Sequence, residues 1–268
     1  MLEYDDIDEH ERQYSPSSIV PDAADLIGRY RSGSAAVRSA RAFETVAYGP
    51  DMEQYVDIFW GASSRVHVFI HGGYWQELSG ANSSFLAPSF CERGTSYVGV
   101  GYRLAPRASV EEILADIDLA LRVIRQRVVS ERGDCQIVLS GSSAGAHLAA
   151  MTARSHRLAG LMLISGIYDI VPLIRTYVND ALSLDHDRAA RLSPLRLPPP
   201  ATTNPTVIAF GELETDAFKQ QSEAFASHWS LPPPLEIAGR NHFDIVHDLA
   251  DVSTILGRAA LGMEDHGV

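Results

Sequence analysis

The stretch Gln136–Met151, QIVLSGSSAGAHLAAM, decides the reading of this chain. Ile137, Val138 and Leu139 form an unbroken apolar run, the pattern of a strand buried on both faces. Gly141-Ser142-Ser143-Ala144-Gly145 follows as a G-x-S-x-G pattern, and Ala146, Leu148, Ala149, Ala150 and Met151 read as a helix. Strand, sharp turn and helix together are the context of a nucleophile elbow, in which a serine is held clear of the sheet on a strained turn. Of the three nearby serines only Ser143 holds the central position; Ser140 and Ser142 do not. Gly141 and Gly145 lack a Cβ and let strand and helix approach closely. The first N–H groups of the helix are unpaired and face incoming negative charge.

Outward from this stretch, apolar runs alternate with helical patterns. Arg65–Ile70 reads as a central strand ending at His71-Gly72-Gly73-Tyr74-Trp75, and Tyr97–Tyr102 is the next strand. Val110–Val129 is the clearest helix, because Ile113, Ile117, Leu121, Ile124 and Val128 recur at three- and four-residue steps. Leu161–Ile164, Thr206–Phe210 and Leu235–Ala238 are further strands, Asp216–Trp229 is a helix, and His242 opens a final helical stretch to about Leu261. Phe43–Tyr48 and Tyr55–Phe59 are short strands joined through Gly49-Pro50. Met1–Val20 reads as irregular and polar, and Asp22–Ala40 as a helix broken near Gly33; together residues 1–40 are expected to form an arm laid over the domain. Residues 167–200 break the alternation and are expected to cap the pocket. The expected architecture is one α/β domain spanning 1–268, with a doubly wound, mostly parallel sheet covered by helices on both faces. Ligands then bind beyond the carboxyl ends of the strands, where Ser143, His71–Trp75, Glu214 and His242 all fall.

The composition narrows the function. A formal charge of −12 argues against nucleic acid or an anionic membrane surface as partner. The two cysteines, Cys91 and Cys135, form neither a disulfide framework nor a zinc pattern. They fit a reducing compartment, and the acidic N-terminus lacks the apolar region of a signal peptide, so the expected setting is cytoplasmic. No apolar run reaches the length of a membrane span. His67 and His71 are too close on one strand to bind a metal without further ligands, so neither metal nor cofactor is expected.

Serine hydrolysis needs a nucleophile, a base, an acid that orients the base, and donors for the oxyanion. In an α/β-hydrolase the acid and then the histidine follow the serine in the chain. Glu214 and Asp216 follow the 206–210 strand, and His242 follows the last strand. Glu214 is the preferred acid because it lies in the loop just past its strand, whereas Asp216 stands where a helix cap is needed; Asp216 is the alternative. The N–H groups of Gly72, Gly73 and Ala144 are the expected oxyanion donors. Tyr74 and Trp75 are candidate substrate-binding aromatics, each equally suited to the core. His147, one turn into the nucleophile helix, reads as a packed residue.

These residues resemble the arylformamidases, or kynurenine formamidases, of the α/β-hydrolases. The resemblance is carried by Glu11-Arg12-Gln13-Tyr14-Ser15-Pro16-Ser17, Tyr55–Phe59, His71–Gln76, Gly141–Met151, Ile164-Ser165-Gly166 with Asp169, Gln221-Ser222, and His242–Val246. These segments extend over about residues 11 to 250, and the first and the aromatic-extended glycine loop are the most specific. Ser142 stands where the family commonly has histidine, and Glu214 aligns with an acid that is aspartate in the vertebrate enzymes. The resemblance implies hydrolysis of N-formyl-L-kynurenine to formate and L-kynurenine. A carboxylesterase would use the same residues, and a non-catalytic binding protein could share the fold. The expected partner is a small aromatic formamide or ester, and a homodimer is a further expected assembly.

Overall fold

A computed structural model describes residues 6–200 and 205–265. Its strands are β1 (Glu44–Ala47), β2 (Tyr55–Phe59), β3 (Arg65–Ile70), β4 (Ser96–Val100), β5 (Gln136–Ser142), β6 (Gly160–Ile164), β7 (Thr206–Gly211) and β8 (Leu235–Ile237). They form one sheet in the order β1-β2-β4-β3-β5-β6-β7-β8. β2 is antiparallel to both its neighbours, and every pairing from β4 to β8 is parallel. This is the α/β-hydrolase fold expected from the alternation of runs.

The helices are α1 (Ile7–Gln13), α2 (Ala23–Ala40), α3 (Ala87–Cys91), α4 (Val110–Arg132), α5 (Ala144–Thr152), α6 (Asn179–Leu182), α7 (His186–Arg191), α8 (Asp216–His228) and α9 (Ile255–Asp265). Alternate strand positions sort between the two faces, as the pleat requires. Val66, Val68, Ile137, Leu139, Leu161 and Leu163 join the apolar stripe of α4 and residues of α5 and α8 in one cluster. Phe69, Tyr97, Val138, Met162 and Ile164 join Tyr30 of α2, Phe90 of α3 and Leu256 and Ala260 of α9 in the other. α4 is framed as its sequence suggests: Ser109 and Glu112 form a reciprocal capping box, and Gly133 ends the helix at φ 79°.

Three expectations are corrected. Residues 7–13 are not irregular but helical, started by the Asp6 side chain accepting from the Asp8 N–H and held by burial of His10 and Gln13. α2 runs unbroken through Gly33. A Cβ there would stand 3.3 Å from Cβ of Phe85, so Gly33 permits close approach to the 80–86 turn rather than ending the helix. The stretch after His242 is not one helix but a 3-10 segment, Ile245–Ala250, followed by α9.

Candidate active site

Ser143 sits between β5 and α5 at φ 57° and ψ −122°, a left-handed conformation rare for a residue with a Cβ. The surrounding structure fixes it. Its N–H donates to the Ile164 carbonyl, and its own carbonyl accepts from Ala146 and His147. The glycines make the turn possible: a Cβ on Gly141 would lie 2.2 Å from the Gly145 carbonyl oxygen, and one on Gly145 2.1 Å from that of Ile70. Ala144 is the first residue of α5, so its N–H has no acceptor within the helix.

Ser143, His71, Gly72, Gly73, Tyr74 and His242 line one cavity of about 220 Å³ at the carboxyl ends of the parallel strands. His242 and Glu214 are both buried, and His242 Nδ1–H donates to Glu214 Oε2 at 2.9 Å. The second carboxylate oxygen, Oε1, accepts from the Ser165 hydroxyl at 2.5 Å and the Gly211 N–H at 2.6 Å. Three donors thus hold an acceptor-only group, and one of them is the imidazole.

Asp216 is exposed and lies outside this network. Its expected capping role is also corrected: the N-cap of α8 is Thr215, with no capping side chain of its own. The Ala217 N–H is instead accepted by the Gln13 side chain at 3.1 Å.

The glycine loop lies beside the nucleophile. A Cβ on Gly72 would come within 3.0 Å of Ser143 Cβ, and Gly73 takes φ 97°. His71 Nδ1 lies 2.8 Å from the Gly72 carbonyl, which only accepts, so Nδ1 carries the proton. Tyr102 stacks on the His71 ring and donates its hydroxyl to the His71 carbonyl at 2.8 Å. The Gly72 carbonyl is thereby held, and the Gly73 carbonyl accepts from the Gln76 and Glu77 N–H groups at 2.9 and 3.0 Å.

The two aromatics divide. Tyr74 lines the cavity. Trp75 does not: it is fully buried, with its ring edge-on to His147, so its assignment as a substrate-binding residue is corrected to core. Tyr30, Phe243 and Tyr177 complete an aromatic wall that patterning did not single out. They come from α2, the histidine loop and the 167–200 segment, which only the fold brings together. His147 packs as expected, its Nε2–H on the Leu192 carbonyl at 2.7 Å. Among the described residues no group of three or more His, Cys, Asp or Glu side chains is placed to hold a metal.

Burial pushes His71 and His147 down to about 4, so both rings are neutral in the folded protein. A folded-state value below that of the free ring means the unfolded chain binds more protons. The stability from this source is complete above about pH 6.5 and is lost as pH falls toward 4. The loss by pH 4 is on the order of 3 kcal/mol per ring. Denaturant unfolding at pH 7.5 and 4.5 should show the drop, with a smaller drop for His147→Gln. Equal stability of the wild type at both pH values contradicts it.

The sheet, the elbow and the cavity at its carboxyl edge define an α/β-hydrolase. Comparison with known proteins agrees. A family described as BD-FAE matches residues 55–163. The crystal structure of a candidate thioesterase from Silicibacter sp. superposes with a TM-score of 0.82 at 26% identity, over 94% of this chain and 99% of that one. An esterase from Pyrobaculum calidifontis superposes at 0.71 with 16% identity, over 98% of each chain, a likeness of fold alone. Kynurenine formamidase from Danio rerio is 33% identical across 96% of this chain and 96% of its own length. That from Salmo salar is 32% identical across 91% and 92%. The chain belongs to the kynurenine formamidase family, and it is a hydrolase.

Proposed function

We propose that this enzyme hydrolyses an aryl formamide, N-formyl-L-kynurenine, to formate and L-kynurenine. The observation that carries the reading is the Glu214–His242 pair at 2.9 Å, whose histidine lines the same cavity as Ser143. In this reading His242 Nε2 takes the Ser143 proton as Oγ attacks the formyl carbon. The resulting oxyanion is held by the N–H groups of Gly72, Gly73 and Ala144. The C–N bond then breaks, and His242 returns the proton to the departing aryl amine. Water, losing its proton to His242, attacks the formyl-enzyme ester; the ester C–O bond then breaks, His242 passes that proton to Ser143 Oγ, and formate is released. The aromatic wall of Tyr30, Tyr74, Tyr177 and Phe243 supports an aryl leaving group. The 167–200 segment acts as a small cap, supported by Tyr177 reaching the cavity. A cytoplasmic setting is supported by Cys91 and Cys135, which are both free.

The test is turnover of N-formyl-L-kynurenine against p-nitrophenyl acetate by the purified protein. The formamide should have the higher kcat/KM. The reverse ranking makes the enzyme an esterase, and turnover of neither overturns the formamide assignment.

A further inference from the structure

The segment Glu11–Ser17 lies at the far end of the chain from the serine, acid and histidine, yet it touches the loops that carry them. Gln13 is the last residue of α1 and is 4% exposed. Its backbone carbonyl accepts from the Thr215 hydroxyl at 2.7 Å, and its side-chain Oε1 accepts from the Ala217 N–H at 3.1 Å. Its amide nitrogen donates to Glu9 Oε1 at 2.9 Å, which fixes which way the amide points. The next residue, Tyr14, is buried, and its carbonyl accepts from the hydroxyl of Tyr74, in the oxyanion loop. Pro16 and Ser17 then reach the cavity itself.

Thr215 occupies the position whose hydroxyl ordinarily caps its own helix. Here the hydroxyl turns outward to Gln13, and Gln13 supplies the missing acceptor from another helix. Both bonds fall within three residues after Glu214, whose carboxylate orients His242. We propose that Gln13 is a positioning residue: α1 caps α8 in trans and so fixes the acid loop, while Tyr14 ties the same turn to the oxyanion loop. This rests on the roles proposed above for Glu214 and His242. It explains why a polar N-terminal segment belongs to the hydrolytic machinery: it sets the spacing between acid and oxyanion donors, a spacing to which acyl transfer is sensitive. Misplacement by about 1 Å costs on the order of 10²-fold in rate.

The experiment uses Gln13→Met, which removes the acceptor at similar volume, and the double variant E9Q/Q13E, which restores an acceptor toward Ala217 and a donor–acceptor pair between positions 9 and 13. Activity is read with p-nitrophenyl acetate and by the rate of labelling with a fluorophosphonate, so the result does not depend on formamide being the substrate. Gln13→Met should lower kcat roughly ten- to a hundredfold with KM within about twofold, and slow labelling in parallel. The double variant should recover kcat to within about threefold. The proposal is overturned if kcat and labelling of Gln13→Met stay within twofold of wild type. It is equally overturned if the double variant regains the wild-type melting temperature without regaining kcat, since α1 would then only stabilise. Should Gln13→Met not fold, Thr215→Val removes the other bond and is judged by the same criteria. Unchanged activity in Ser143→Ala would instead refute the serine mechanism on which these roles depend.

Discussion

Ser143→Ala is expected to lower kcat on the order of 10⁴-fold or more while leaving the melting temperature close to wild type. The kinetic loss follows from chemistry, because alanine has no oxygen to attack the carbonyl and no acyl-enzyme can form. The structural neutrality follows from the backbone. Ser143 is held at φ 57° by hydrogen bonds of its own N–H and carbonyl, and none of these uses the hydroxyl. Serine and alanine both carry a Cβ, so the strain of that conformation is common to both. Single-turnover and steady-state rates, with a thermal melt, check the two halves of the expectation. An active Ser143→Ala protein would remove the acyl-enzyme route. Attention would then pass to Ser142, which also lines the cavity, rather than Ser140, whose hydroxyl is engaged with His67 at 2.7 Å.

The second large effect concerns the acid. Glu214→Gln should cut kcat on the order of 10²- to 10⁴-fold with little change in stability. The carboxylate accepts from three donors, His242, Ser165 and Gly211. An amide offers only one acceptor oxygen, so its NH₂ must face a former donor. If it faces His242, the ring is driven to the tautomer whose Nε2 already bears a proton and cannot take that of Ser143. Asp216→Ala should behave differently. Asp216 is exposed in the first turn of α8, where a carboxylate favours the helix dipole by about 0.3–1 kcal/mol, and it has no contact with the imidazole. Its kcat should stay close to wild type. Exchange of the two phenotypes would make Asp216 the acid and remove Glu214 from the mechanism.

The local sequence was enough for the parallel strands, the elbow and the chain order of serine, acid and histidine. The apolar runs at 68–70, 137–139 and 161–164 specify buried parallel strands, because a strand covered on both faces has no polar side to alternate with. G-x-S-x-G between such a strand and a helix specifies the elbow, because only a glycine-flanked turn lets the two approach. Serine, acid and histidine then follow in chain order. Glu214 is preferred over Asp216 from its loop position, from the capping role read for Asp216 and from the family alignment, and it is Glu214 that lies 2.9 Å from His242.

What the sequence could not decide are the facings of neighbouring side chains and the meetings of distant segments. Tyr74 and Trp75 are adjacent and equally aromatic. Their positive φ values, 51° and 60°, send one to the cavity and the other into the core, and nothing in residue type announces a left-handed pair. Gly33 reads as a helix breaker and is a point of close approach, because its partner Phe85 lies some fifty residues away. α1 is seven residues long, too short to hold as a helix by propensity, and it forms because tertiary contacts bury His10 and Gln13. The cap of α8 follows the same logic. Local pattern assigns it to a side chain of its own segment, Asp216, but a backbone N–H needs only an acceptor at the right distance. Folding supplies that acceptor from Gln13, about two hundred residues earlier in the chain.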